Sequence, residues 1–449
     1  MRKQAILLSS VMIGLSILSA ACSSKRESHE PVTLTIAGVI PEFFTQQHGE
    51  QLVLDGQEIN LNFVPYGDMP QDREGNIQYE QLFSQFSLDI LFFAGTAALK
   101  PLIDGGLVMP LDSFANDSKA LDAIAPMVLN NIRKSGEGQL YAWPGAFRTE
   151  ALFYNKELLD RYHVPYPEQA SSWSDLMKLT TQLSNAVKNE SSGIVPFLDP
   201  GKNDPEEKLF WLIYNAGQSE GLQLIQPQTL EVTANSDGWK ELAGSFIDAY
   251  KQGGISNEEY EQVGTIKLEQ GVTDESRYKP FLDGRAAFVL GDPSLIYMLN
   301  KANSSWWGIA NQPGSQQLYS QISEMYGINS NSSHTAEAWK LIEYLTGDEN
   351  IQEQASNGGG GGIQNVGDLP ARVSVLEKAL SLDLSPFYDQ ELAVYGVYDP
   401  SPIPSELFVA MRDEMMKQIG SVLRGEETVD QALTQLQGSL EASSRAASQ

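Results

Sequence analysis

A chain of 449 residues with 41% hydrophobic and 9% aromatic content holds enough apolar material for two domains of ordinary size, which excludes global disorder. Its 58 acidic and 30 basic residues leave a formal net charge of −28, a surface that repels phosphate backbones and excludes a nucleic-acid partner. A single cysteine excludes a disulfide framework, and four scattered histidines give zinc no support, so no cofactor or metal is expected. The same charge fails to steer anionic solutes and leans toward neutral or cationic ligands.

In chain order, Met1-Arg2-Lys3 is a positive start, residues 5–18 an apolar run too short to span a bilayer comfortably, and Ser19-Ala20-Ala21 a small-residue step into Cys22. Residues 1–21 are thus predicted to be an export signal. A signal ending at the chain's only cysteine resembles a bacterial lipoprotein signal, with Ser19 standing where those signals usually carry Leu. The resemblance implies lipidation at Cys22 and a cell-membrane anchor on the extracytoplasmic face; the other reading is a cleaved signal with an incidental thiol. Residues 22–30 are polar and aperiodic and read as a flexible tether, reaching roughly 30 Å when stretched. No later segment is long and apolar enough for a membrane helix.

The globular part opens with Val32-Thr33-Leu34-Thr35-Ile36-Ala37, a β-branched strand. Ile59-Asn60-Leu61-Asn62-Phe63-Val64 alternates like a half-buried strand. Asp72-Arg73-Glu74-Gly75 has the look of a calcium loop, but its register puts Pro70 and Gln81 at ligand positions, so calcium is not indicated. Leu88-Asp89-Ile90-Leu91-Phe92-Phe93-Ala94-Gly95 is a continuous apolar run, as a fully covered parallel strand would be. With helical stretches between, the start is an α/β unit. Ser172-Trp173-Ser174-Asp175 is a capping box ahead of Leu176, Leu179 and Leu183 on one helix face. Strand-like Gly308-Ile309-Ala310 runs into a turn at Gln312-Pro313-Gly314. Ala338, Leu341, Ile342 and Leu345 give a second helical stripe, and Thr428-Val429-Asp430-Gln431 caps a helix carrying Ala432, Leu433 and Leu436. Five consecutive glycines, 358–362, suit neither helix nor strand; a surface loop and a joint between lobes are both open.

Several stretches stand in an order that resembles the bacterial extracellular solute-binding proteins of ABC importers, the sugar-binding group related to maltose-binding protein. The carriers are Gly105-Gly106-Leu107-Val108-Met109-Pro110-Leu111-Asp112, Gly138-Gln139-Leu140-Tyr141-Ala142-Trp143-Pro144, Ala151-Leu152-Phe153-Tyr154-Asn155-Lys156-Glu157-Leu158-Leu159, the Ser172 capping box, Phe281-Leu282-Asp283-Gly284-Arg285-Ala286-Ala287-Phe288, Gly327-Ile328-Asn329-Ser330, Leu369-Pro370-Ala371-Arg372 and Gly425-Glu426-Glu427-Thr428. The resemblance implies a two-lobed α/β binding-protein fold with a small-molecule solute, by kinship a carbohydrate, caught between the lobes and handed to a membrane permease. It implies crossings near 144–148, 311–327 and the glycine run, with lobe one at 31–145 plus 312–362 and lobe two at 146–311 plus 363–449. A monomer and no enzymatic activity are expected.

A carbohydrate site needs flat aromatic surfaces and a few oriented polar groups. Trp143 lies at the expected mouth of the cleft, with a core position as the other reading. Phe147 and Arg148 come next, where the likeness places ligand contacts. Arg148 could pair with hydroxyls, with the carboxylate of an acidic aldouronate-type sugar, or with an acid across the lobes. Thr96 ends the strand after Asp89, where open α/β sheets bind ligands. Asp292 lies in a ligand-facing turn by the likeness, although Ser294-Leu295 stand where an aromatic is common. Trp211, Tyr214, Tyr395 and Tyr398 are further aromatic candidates. Gly217-Gln218-Ser219-Glu220-Gly221 matches the nucleophile elbow of serine hydrolases. The apolar 209–215 run before it passes as a strand, but Pro227 interrupts the helix that the motif needs after it. His334 is the only later histidine, and it sits in a helix-start region, so a surface hydrolase is the lesser alternative; a binding subunit that reports to a membrane sensor and transports nothing has the same sequence features as an importer's binder.

Overall fold

The computed structural model describes residues 30–447 apart from 50, 119, 168–171, 191–192, 200, 259–274, 302–304, 316–319, 357–366 and 392–402. Cys22, the glycine run, Tyr395 and Tyr398 lie outside the described residues. The strands are β1 (Val32–Ala37), β2 (Gln51–Leu54), β3 (Gln57–Val64), β4 (Ile90–Phe93), β5 (Trp143–Arg148), β6 (Ala151–Asn155), β7 (Val195–Leu198), β8 (Ala286–Gly291), β9 (Trp307–Ala310), β10 (Gln321–Ile328) and β11 (Leu369–Pro370). They form a seven-stranded sheet in the order β11-β5-β10-β4-β1-β3-β2 and a four-stranded sheet in the order β7-β8-β6-β9. Helices cover both, which gives the mixed α/β class expected from the alternation of strand and helix patterns.

In the larger sheet β1 runs parallel to β3 and β4, and β10 runs antiparallel to both β4 and β5. Strands β2 and β3 close through Asp55-Gly56, both at positive φ, the geometry of a two-residue hairpin turn. All four residues of β4 are buried, as its unbroken apolar run requires of a strand covered on both faces. Helix Thr335–Leu345 packs against this sheet through Ala338, Leu341, Ile342 and Leu345, the stripe read from its periodicity.

The smaller sheet separates two cores by the two-residue period of its strands. Ala151 and Phe153 face the core shared with the larger sheet, where Phe153 meets Phe281 and Phe387. Leu152 and Tyr154 face the opposite core, with Trp173, Phe210 and Leu407. Ser172 caps helix Trp173–Val187 by accepting from Asp175 N. Thr428 and Gln431 cap helix Val429–Ala447 reciprocally, Gln431 N donating to the threonine hydroxyl and Thr428 N to the Gln431 side-chain carbonyl.

The 209–215 run is helical and not a strand: it lies inside helix Pro205–Ser219. Asp204 caps that helix by accepting from Glu207 N, Pro205 opens it, and two glutamates occupy its first turn. Its continuous apolar run lines the buried face of a helix, which periodicity alone does not separate from a buried strand.

Candidate functional site

Topology brings the site together. Strand β5 is antiparallel to β10, which is antiparallel to β4, so β5 points the same way as β4, β1 and β3. One edge of the larger sheet therefore carries Gly38 after β1, Tyr66 after β3, Thr96 after β4 and Arg148 at the end of β5. In the smaller sheet Ala151 at the start of β6 pairs with Gly291 at the end of β8, and β7 runs parallel to β8. Asp199, Asp292 and Gln312 thus come after β7, β8 and β9 at the edge where the chain arrives from the larger sheet. Only Thr149 and Glu150 separate β5 from β6, so the two edges face each other across this link. Outside the carboxyl ends of strands is where open α/β sheets hold ligands.

At this seam the Arg148 Nε donates to Asp368 Oδ1 at 2.9 Å; the aspartate is almost fully buried and the arginine about one-third exposed. Asp368 lies just before β11, whose Leu369 pairs with Phe147. Across the link, Asp292 accepts from the Tyr278 hydroxyl at 3.3 Å and from Ser294 N at 2.9 Å, with the Ser294 hydroxyl also donating to it. Gly367 passes so close that a Cβ there would sit 3.3 Å from the Asp292 carboxyl. Glu150 lies 4.0 Å from the Arg277 guanidinium, and its carbonyl accepts from Gln312 Nε2 at 3.3 Å. Gln390 Nε2 then donates to the carbonyls of Gln312 and Gly314. Gly314, at φ +101°, is tucked against Ser219, whose carbonyl accepts from Ser315 N.

Burial sets the electrostatics of this seam. It pushes the Glu150 carboxyl up to about 7, with Arg277 and Arg148 opposing and Asp292 and Asp199 reinforcing the rise. Asp199 is also raised by burial, against the pull of Lys208. Lys208, 2% exposed and lowered by burial, donates to the carbonyls of Asp199 and Ser256. Tyr278 is pushed well above its ordinary value by burial, with the Asp292 charge adding to it.

The structure brings Arg148 and Asp292 to this seam and places Thr96, half-buried, on the same edge of the larger sheet. Trp143 and Phe147 are core residues here. Trp143 is 1% exposed, packs edge-on against Trp339 and donates Nε1 to the Thr346 hydroxyl at 3.0 Å. Trp211 and Tyr214 pack with Phe210 and Phe408 between two helices. Sequence reasoning passes over Glu150, Asp199, Tyr278 and Asp368, whose chain separation hides their meeting. It also misses Tyr66, 54% exposed at the carboxyl end of β3. The strand-end rule applied to Val64-Pro65-Tyr66 finds that last residue.

Ser219 is no nucleophile elbow. It is the last residue of helix Pro205–Ser219, 1% exposed, and its hydroxyl donates to Ala216 O while accepting from Trp173 Nε1. Asp72 is occupied by its own turn, accepting from Glu74 N, Asn76 N and Asn76 Nδ2. Among the described residues no helix is long and apolar enough to cross a membrane, and no group of His, Cys, Asp and Glu has metal-site geometry.

The family model described as bacterial extracellular solute-binding protein matches residues 74–371. A binding protein of Brucella abortus (strain 2308) is 23% identical over 348 residues, covering 75% of this chain and 76% of that one. Among solved structures, the sugar-binding protein MalE of Xanthomonas citri superposes with a TM-score of 0.56 at 18% identity, over 92% of this chain and 98% of its own. The cyclic α-maltosyl-1,6-maltose binding protein of Arthrobacter globiformis gives 0.56 at 15% identity, over 93% and 100%. Maltose-bound T. maritima MalE3 gives 0.51 at 19% identity, over 91% and 99%. These structural likenesses are likenesses of fold, the two-lobed architecture of such binding proteins.

Proposed function

This chain belongs to the bacterial extracellular solute-binding proteins, binders and not enzymes, and from that premise we propose that it captures a carbohydrate between the facing sheet edges and delivers it to an ABC permease. The observation that carries the reading is the seam itself: strand ends from both sheets converge on one short link and bring Arg148, Glu150, Asp199, Asp292 and Asp368 together. Carboxylates and a held guanidinium suit the hydroxyl fringe of an uncharged sugar. Proteins of the same fold bind maltose and cyclic α-maltosyl-1,6-maltose. An acidic sugar is disfavoured, because Arg148 already pairs with Asp368 and the surrounding carboxylates repel an anion.

Lobes drawn at 31–145 plus 312–362 and 146–311 plus 363–449, with the first boundary moved past the end of β5, would hinge at Thr149-Glu150 and at the second crossing, with Leu369–Pro370 reaching back to the larger sheet's edge. A solute touching both lobes binds the closed form better and shifts the balance toward it. Lipidation of Cys22 and the 22–30 tether would keep the binder beside its permease.

A thermal-shift screen against mono- and oligosaccharides tests the assignment. A specific carbohydrate should raise the melting temperature, stabilising by about 2.7 kcal/mol at a hundredfold excess over Kd. A broad carbohydrate panel giving no shift, while a peptide or polyamine gives one, would sink it.

A further inference from the structure

Strand β10 carries three polar side chains into the interior, and they do not share one fate. Glu324, 4% exposed, accepts from the Tyr326 hydroxyl at 2.6 Å. Gln321 and Ser323 are buried almost as deeply, at 6% and 7% exposed, yet neither Gln321 Oε1 nor Ser323 Oγ meets a donor or acceptor of the protein. Most buried polar atoms have a partner, so two such atoms two residues apart on one strand need a physical reason.

Their place in the fold supplies it. Strand β10 runs against β4 and β5, so its first residues lie at the carboxyl ends of those strands, on the edge that faces the smaller sheet. Gln321 stands opposite Arg148, and directly paired residues project from the same face of a sheet. The Gln321 amide thus leaves the sheet on the side of the guanidinium that Asp368 holds at the seam. Gly95 N donates to Ile322 O at 2.9 Å, which sets this stretch level with the end of β4 and Thr96. The β5 ladder slips between Ile322 and Met325, and the β4 ladder begins at Met325, so Ser323 has no opposite residue on either neighbour. Such breaks re-aim side chains and are over-represented beside functional sites. Ile322, between the two polar residues, pairs with Phe147 and stays in the core.

We propose that Gln321 and Ser323 are the pair by which the larger sheet reads the hydroxyl groups of the solute: one hydroxyl donates to Gln321 Oε1, and another exchanges a hydrogen bond with Ser323 Oγ. The proposal rests on the carbohydrate reading of the cleft and names the residues and ligand groups that make it selective. An amide oxygen accepts and cannot donate, so the group facing it must carry a proton. A hydroxyl does, and a carboxylate or an ether oxygen does not. Two residues span roughly 7 Å of strand, within reach of hydroxyls on one sugar ring or on two linked ones. A solute lacking either hydroxyl would leave a buried protein atom unpaired, and that is how a site rejects a near-isostere.

The test uses the full chain carrying Cys22→Ser and a panel of mono- and oligosaccharides built from glucose, galactose, mannose and xylose, with single-site deoxy analogues of those that bind. Ser323→Ala and the similarly shaped Gln321→Met remove atoms that pair with nothing in the protein, so without solute both should melt no earlier than the parent chain. With solute, each should weaken binding about tenfold in calorimetric titration. Each should also lose the parent chain's discrimination against one deoxy analogue, at a different ring position for each variant, a pattern that a merely structural role would not produce. If the parent chain binds a saccharide and both variants bind it equally well, the pair is overturned and the carbohydrate reading stands. Earlier melting of both variants without solute would also overturn the pair, since those atoms would then be engaged inside the protein. A parent chain that binds no member of the panel would remove the carbohydrate reading and the pair with it.

Discussion

Trp143 shows how residue type and residue role part company. An indole beside the link between sheets has the chemistry of a sugar platform, yet its ring lies against Trp339 and its Nε1–H is spent on Thr346. A side chain this buried is worth more to packing than to recognition. Trp143→Ala should cost about 3–5 kcal/mol in urea unfolding, the range for removing a buried large aromatic, and leave carbohydrate affinity unchanged in the folded protein. Intact stability with lost affinity would return the indole to the cleft. Arg148 differs: the nearly buried Asp368 fixes its Nε while about a third of the arginine side chain remains exposed at the seam.

Elements are the most legible scale, and their local chemistry explains why. The Ser172 hydroxyl accepts from Asp175 N as the capping pattern requires, and Ser172→Ala should destabilise the protein by about 1 kcal/mol. Equilibrium unfolding reads this, and an unchanged stability would mean that water replaces the cap. Strands β1, β3, β4 and β9 are visible in their alternation or apolar runs, because each period reports which faces are covered. The apolar middle of helix Pro205–Ser219 passes for a strand, while its true signals lie at Asp204-Pro205, outside that run. Strand β10 is hidden for the opposite reason. It buries Gln321, Ser323 and Glu324, polar residues that no hydrophobic period announces, and Glu324 is accommodated only because Gly145 lacks a Cβ. The site is the least legible part. Glu150, Asp199, Asp292 and Asp368 are distant along the chain and meet only through strand order, which residue pattern does not encode.

At the scale of the whole molecule, a surface of net charge −28 and an acid-lined seam point the same way, away from anionic solutes and toward neutral or cationic ones, among which a carbohydrate is the one proposed. The proposed lipid anchor would give the polar 22–30 segment a use as a tether, and Cys22→Ser should then move the protein from the membrane fraction to the medium. Retention in the membrane fraction would remove the lipid anchor from the account. The central claim is that solute closes one lobe on the other. With spin labels at Val53→Cys and Val409→Cys, two exposed positions, in the Cys22→Ser chain, distances should be recorded at a single pH with and without the carbohydrate that raises the melting temperature. The account predicts that saturating carbohydrate collapses the distribution to one narrow, displaced population. A distribution unchanged at saturation would contradict it and make the seam a rigid site.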